Sequence, residues 1–172
     1  MTFFNQDFFQ QLVTTFFGVA AGIPAALWIE RKIQESSERA ESQQLVTAIR
    51  EAASKNLELA NKLVSEFHRN GLSHVPLYPM DMTTLSATAS RRYQLLKSVI
   101  ACRRVDHAAY ELVELDGKLK MLRDMSCEGS RSPQSFAVFE MVQKACRDQL
   151  PTVIQAQEMV LKELDTYERG KS

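Results

Sequence analysis

The segment FFQQLVTTFFGVAAGIPAALWI, residues 8–29, contains no Asp, Glu, Lys or Arg and lies between Asp7 and Glu30-Arg31-Lys32. As an α-helix it extends over about 33 Å, which matches a bilayer hydrocarbon core of roughly 30 Å. We therefore predict a transmembrane helix within residues 1–29. A buried core helix and a cleaved signal peptide are the alternatives, and the second is disfavoured because no Lys or Arg precedes the segment.

Basic residues lie on one side of this segment. None precedes it, whereas Arg31, Lys32, Arg39 and Arg50 follow it. Short loops that carry Lys and Arg stay on the cytoplasmic side of a membrane. We therefore expect a translocated amino terminus and a cytoplasmic carboxyl-terminal domain.

Small residues recur every four positions inside the segment, at Thr14, Gly18, Gly22 and Ala26. In lipid, small side chains let two helix backbones approach closely, and this favours association. The pattern predicts a homo-oligomer formed by the transmembrane helices, although single spans without a partner also carry small residues. Pro24 removes one backbone hydrogen bond and is predicted to kink the helix.

Composition limits the possible functions. The chain has 21 basic and 21 acidic residues, so no net charge attracts it to DNA, and no DNA binding is expected. Cys102, Cys127 and Cys146 are isolated, as in free thiols of a reducing compartment. The three histidines form no metal-binding spacing, and no nucleophile or nucleotide motif occurs. We expect no catalytic residue, no metal and no cofactor, and hence no enzyme.

The rest of the chain predicts helices. Residues 30–45 are almost entirely polar and suggest a solvated helical neck. Residues 46–172 carry apolar stripes at helical spacing, with one helix ending at Asn70-Gly71, a long second helix from about Ser90 to Met125 and a third starting at Pro133. The predicted fold class is all-α: a single transmembrane helix, a neck, and an antiparallel helical bundle in the cytosol. A break at Gly117 is possible, and we expect Pro151 to kink the last helix or to divide it in two. Tyr93 and Tyr110 are expected to pack with the core stripe.

Two groups of residues are candidates for binding an anion. Guanidinium groups form bidentate contacts with phosphate oxygens, and a helix amino terminus also attracts anions. Arg92 and Arg103 are eleven residues apart and would share one side of a continuous helix. A solvated or lipid-facing surface is the alternative interpretation for both groups. The candidate ligand-binding residues are Arg91, Arg92, Lys97, Arg103 and Arg104 in the first group and Ser130, Arg131 and Ser132 in the second.

The predicted organisation is a short translocated end, one span that includes Gly18-Val19-Ala20-Ala21-Gly22 and Trp28, a charged neck and a small helical domain. This organisation resembles that of bacterial antiphage-defence membrane effectors. Among these are type III CRISPR accessory membrane proteins gated by cyclic oligoadenylate. The resemblance covers the organisation of the chain and includes no ligand-binding motif. It implies oligomerisation, binding of a cyclic nucleotide by the cytosolic part, and disruption of the inner membrane.

Two principal functions follow from these observations. The first is an oligomeric single-pass effector that senses an anionic signal, such as cyclic oligoadenylate, and perturbs the membrane. The alternative is a membrane-tethered scaffold or adaptor that recruits a cytosolic protein partner without a small ligand. An anchored enzyme is the third and least supported.

Overall fold

The computed structural model describes residues 6–70, 80–87, 92–93, 96, 98–127 and 133–170. Within these ranges, only the backbone is described for residues 6–14, 17–21, 68–70, 87, 127 and 133. Every regular element in the described ranges is helical, which confirms the all-α class. The helices are α1 (Gln6–Asn70), α2 (Met82–Ala87), α3 (Val99–Cys127) and α4 (Pro133–Arg169).

The chain divides into two compact units, Met1–Glu41 and Ser42–Ser172. The amino-terminal unit consists of the first part of α1, and each of its residues from Gly22 to Glu41 is exposed. Lys32 Nζ lies 5.6 Å from the centre of the Trp28 ring, within the range of a cation–π interaction. In the parts of the helices that the structure describes, no stretch is long and apolar enough to cross a membrane.

The carboxyl-terminal unit has one apolar core, to which α1, α3 and α4 each contribute a stripe spaced by three and four residues. Residues at this spacing lie on one face of a helix, so three faces can be buried together. The predicted stripes are largely confirmed. Fully or almost fully buried members include Val46, Ile49, Ala53, Ala60, Phe67, Cys102, Val105, Leu112, Leu115, Leu119, Leu122, Phe139, Val142, Cys146, Leu150, Val153, Val160 and Leu164.

Interhelical hydrogen bonds give the directions of the helices. Gln157 on α4 bonds to Ala108 on α3, whereas Gln149 bonds to Glu111 further along α3, so the two helices are antiparallel. Ser42 bonds to Tyr167 near the end of α4. Because the buried stripe of α1 continues from there to residue 67, α1 must also run opposite to α4. Helices α1 and α3 are therefore parallel to each other, and α4 is antiparallel to both, so the predicted antiparallel arrangement holds for these two pairs.

The connection between α1 and α3 must return along the bundle, and Asn56 holds part of it in place. The Asn56 side chain is fully buried; its Nδ2 donates to Asp81 O at 3.1 Å and its Oδ1 accepts from Asp81 N at 2.7 Å. Asp81 in turn accepts from the backbone N–H and the hydroxyl of Thr84, both at 2.9 Å, as the N-cap of α2. A single buried amide thus fixes both the connection and the start of α2.

The structure corrects the predicted start of the second helix. It begins at Val99, not near Ser90, because Ser98 caps it: Ala101 N donates to Ser98 Oγ at 3.2 Å. Leu96 lies in a turn before it. The end at Asn70 and the start at Pro133 are confirmed, and residues 71–79 lie outside the described residues.

Neither glycine nor proline divides the helices of the bundle. Helix α3 passes through Gly117, and α4 passes through Pro151, so the possible break and the two abutting helices are both wrong. Packing explains this outcome, because the buried stripes on either side of each residue stabilise the helix by more than the local cost, about 1 kcal/mol for a glycine. Pro24 likewise lies inside α1.

Replacing Asn56 by alanine should lower the free energy of unfolding by about 2–4 kcal/mol, because two hydrogen bonds are lost and the backbone groups of Asp81 lose their partners. Asn61→Ala is the matched control, since Asn61 is exposed and donates only to the preceding turn of its own helix. Thermal unfolding of the full chain in detergent measures both. Equal effects of the two substitutions would contradict the role assigned to Asn56.

Candidate functional site

The region around the start of α3 contains the first predicted anion-binding group. Arg91 and Lys97 lie outside the described residues, as do Ser130, Arg131 and Ser132 of the second group. Arg103 and Arg104 are exposed on α3. Arg104 Nη1 donates to Met159 Sδ on α4 at 3.3 Å, so its head group lies against the neighbouring helix.

Arg92 differs from the prediction. Its side chain is only 1% exposed, and its Nη2 forms an ion pair with Asp106 Oδ1 on α3 at 2.9 Å. Because α3 starts at Val99, Arg92 and Arg103 do not lie on one continuous helix, so the common helical side predicted for them is wrong. Arg92 is instead buried in the protein, where it is paired with Asp106. The binding of an anion by these residues remains a prediction.

Asp106 joins two side chains of the preceding connection to α3. Its second oxygen, Oδ2, accepts a hydrogen bond from the Tyr93 hydroxyl at 2.9 Å, and this bond raises the pKa of Tyr93. Tyr93 itself is half exposed rather than packed in the core. One carboxylate therefore holds the segment around residues 92–93 against the first turns of α3.

The ion pair satisfies only part of the Arg92 guanidinium. Among the residues that the structure describes, Nε and Nη1 of Arg92 are buried without a hydrogen-bond partner. Buried donors of this kind carry a desolvation cost of about 1–3 kcal/mol each. Two nitrogens of the Arg92 guanidinium, Nε with one hydrogen and Nη1 with two, can therefore still donate to an acceptor.

A polar layer crosses the interface between α3 and α4. Gln149 is buried; its Nε2 donates to the backbone oxygen and to Oε2 of Glu111, and its Oε1 accepts from Lys118 Nζ. Gln157 is fully buried and donates to Ala108 O. Gln157 Oε1 is buried without a hydrogen-bond partner among the described residues. The bonds made by the two amides link α3 to α4 and help to fix the register between these helices.

The described cysteines are poor nucleophiles. Cys102 and Cys146 are fully buried. Burial raises the pKa of Cys146 to about 11 and also raises the pKa of Cys102. A thiol reacts as its thiolate, so both side chains are almost entirely in the unreactive form near neutral pH. No group of three potential metal ligands occurs among the described residues.

Helix α3 also carries a second apolar stripe that faces solvent. Tyr110, Val113 and Met121 are 61%, 54% and 46% exposed, respectively. Gly117 lies between them at helical spacing, and a Cβ added there would meet no atom within 4 Å. We call Tyr110, Val113, Gly117 and Met121 the α3 row. It forms an open apolar surface with a notch at the glycine.

The sequence analysis missed the α3 row because only one stripe per helix was assigned, and Tyr110 was wrongly placed with the core. The signal was present in the sequence as a second set of apolar residues at positions 110, 113 and 121, out of phase with Leu112, Leu115 and Leu122. The described helices cover the face of α3 that carries Leu112, Leu115 and Leu122 and leave the face with Tyr110, Val113 and Met121 exposed.

In the amino-terminal unit, the predicted self-association residues are only partly described. Gly22 and Ala26 are exposed, and no atom approaches the position of a Cβ at Gly22. The side chain of Thr14 and the surroundings of Gly18 lie outside the described residues. Self-association through these four residues remains a prediction.

Comparisons with known protein families, with curated protein sequences and with solved structures find no match to this chain. The arrangement of the chain's own residues is therefore the basis for assigning a function.

The Arg92–Asp106 pair leads to a stability prediction. Asp106→Asn should lower the free energy of unfolding by about 2 kcal/mol, because it leaves a buried guanidinium without its counter-charge, while the partial exposure of Asp106 reduces the loss. The double variant Arg92→Met with Asp106→Asn should recover part of this loss, since no buried charge remains. Asp124→Asn, at an exposed position of the same helix, serves as the control.

Thermal unfolding of the full chain measures these three variants and the single variant Arg92→Met. The double variant could lose more free energy of unfolding than the two single variants lose together. That result would show that the pairing of Arg92 with Asp106 does not stabilise the protein at this position.

Proposed function

We propose that this chain is a membrane-anchored helical adaptor, whose carboxyl-terminal bundle binds an amphipathic helix of a cytosolic partner protein. The observation that carries the proposal is the α3 row. Exposed Tyr, Val and Met side chains spaced along one side of a helix form a surface on which a second helix can lay its apolar face. The notch at Gly117 can receive one side chain of that helix.

The composition of the α3 row supports a protein partner over a small ligand. Tyrosine and methionine are enriched in protein interfaces, and methionine adapts its shape to different partners. Charged residues of both signs flank the row, with Glu114 and Lys120 as examples. Charged residues of both signs around an apolar surface are more typical of the polar rim of a protein interface than of a site that binds one anion.

The sequence from Phe8 to Ile29 supports the anchor. It has the length of a bilayer span and no charged residue, and Trp28 and Lys32 at its end have the character of residues at a membrane interface. Basic residues follow the span and none precedes it, which favours a cytoplasmic position for the bundle. The adaptor then presents its binding surface close to the inner membrane.

Photo-crosslinking tests the adaptor. A benzophenone amino acid at Val113 of the full chain should crosslink a protein in intact cells, and the same label at the exposed Glu140 of α4 should not. Gly117→Leu in the Val113-labelled chain should abolish the crosslink, because leucine fills the notch without meeting a neighbour within 4 Å of its Cβ. A crosslink that persists after this change, or equal labelling from both positions, would count against the α3 row.

A second candidate is the signal-gated membrane effector. It is favoured by the buried Arg92, two of whose nitrogens lack hydrogen-bond partners among the described residues. In this proposal an anion such as cyclic oligoadenylate binds near the start of α3, where Arg103 is exposed, and oligomeric spans then perturb the membrane. The anion would bond the remaining donors of Arg92, and the region around residues 92–93 would move to admit it.

The effector candidate predicts that cyclic oligoadenylate raises the unfolding temperature of the full chain and, in cells, reduces the membrane potential. Arg103→Glu should remove both effects because it reverses one of the exposed charges. Lys144→Glu, an exposed basic position on α4, should leave both unchanged. An unfolding temperature and a membrane potential that do not respond to the nucleotide would exclude this candidate for that ligand.

A further inference from the structure

The helical neck carries an apolar face that continues past the end of the proposed span. Between residues 30 and 44 the only apolar side chains are Ile33 and Ala40, and Ile33 is 65% exposed. They are seven residues apart, which is one heptad. An exposed isoleucine in an otherwise polar helix is unfavourable in water unless another surface covers it.

The same face extends back into the span. Spacings of four and three residues alternate without interruption along it, and this alternation defines a coiled-coil seam. A shallow, open depression on α1 is lined by the members of this face from Ile29 to Ala40, together with Trp28, Lys32 and Ser37. We call the following residues the neck face: Gly22, Ala26, Ile29, Ile33, Ser36 and Ala40.

Charged residues avoid the neck face. The seven charged residues between positions 30 and 41 all fall at other positions of the heptad, and they are Glu30, Arg31, Lys32, Glu35, Glu38, Arg39 and Glu41. The next two positions of the repeat, Gln43 and Thr47, are polar and exposed. The face therefore ends at Ala40, next to the boundary between the two units of the chain.

We infer that the neck face binds a second copy of this chain, in parallel, as a left-handed coiled coil that continues the contact between the spans. The inference rests on the proposed anchor, because two copies inserted in one membrane have the same orientation. Parallel pairing also suits the charges. Lys32 would approach Ser37 of the second copy, and Arg39 would approach Gln44 of the second copy, so no like charges meet.

The spacing of small residues alone predicts a different contact. The row Thr14, Gly18, Gly22 and Ala26 repeats every four residues and favours a right-handed crossing. Continued into the neck, that row would place Glu30, Gln34 and Glu38 between the helices. Glutamates of two copies would then face each other, which costs free energy. The neck face includes Gly22 and Ala26 of that row, but its next members are Ile29 and Ile33 and not the glutamates.

Disulfide crosslinking in membranes distinguishes the two contacts. Ser36→Cys places a thiol on the neck face, whereas Glu38→Cys places one on the continuation of the four-residue row. Full chains carrying either change are oxidised in bacterial lysates that retain both membranes and soluble proteins, and the products are separated without reductant. The wild-type chain gives the background from its three native cysteines. We expect several-fold more dimer from Ser36→Cys than from the wild type, and none above background from Glu38→Cys.

Two results would overturn the inference: a dimer from Glu38→Cys that equals or exceeds that from Ser36→Cys, or no dimer above background from either. Flotation of the same samples with lipid reports the anchor separately. Chains that float without crosslinking through position 36 retain the anchor and lose the coiled coil. Chains that stay in the soluble fraction lose the anchor, and their crosslinking there still reports whether the neck face pairs.

Discussion

The carboxyl-terminal unit depends on the burial of one apolar face from each of three long helices. Each face contributes side chains such as Ile49, Leu112 and Val153 that are almost completely removed from water. At about 25 cal/mol for each Å² of apolar surface, this burial is the main favourable term in folding the unit. It also explains why α3 and α4 continue through Gly117 and Pro151, since interrupting either helix would expose part of the shared core.

Polar groups then select one arrangement of these helices. Asn56 bonds to the backbone of Asp81, Gln149 bonds to Glu111, and Arg92 pairs with Asp106. Burying such groups costs free energy unless they find partners in one particular geometry, so they disfavour helix registers that apolar contacts alone would allow. The Arg92 pair is the exception, because only part of the guanidinium is satisfied among the described residues. The second candidate function assigns the binding of an anion to the same region.

The two proposed interaction surfaces share one physical property. The α3 row and the neck face each expose large apolar side chains in a line on a helix, where water would otherwise solvate them. They differ in their surroundings. The neck face lies next to a stretch with the length of a bilayer span, which favours an identical parallel helix, whereas the α3 row lies on the bundle and is open to a different protein. In the proposed adaptor, the neck face would pair two copies of the chain and the α3 row would recruit the cytosolic partner.

Helical periodicity and the residues at the helix ends were enough to determine the all-α class, the end of α1 at Asn70, the start of α4 at Pro133 and most core positions. These features are local, because spacing, caps and glycine or proline act within a few residues. The start of α3 at Val99 has a local cause, the Ser98 cap. The burial of Arg92 and the exposure of Tyr110 were decided only by the tertiary structure. Each depends on contacts with residues distant in the sequence or on which of two apolar faces another helix covers, and the spacing within one helix carries no information about that choice.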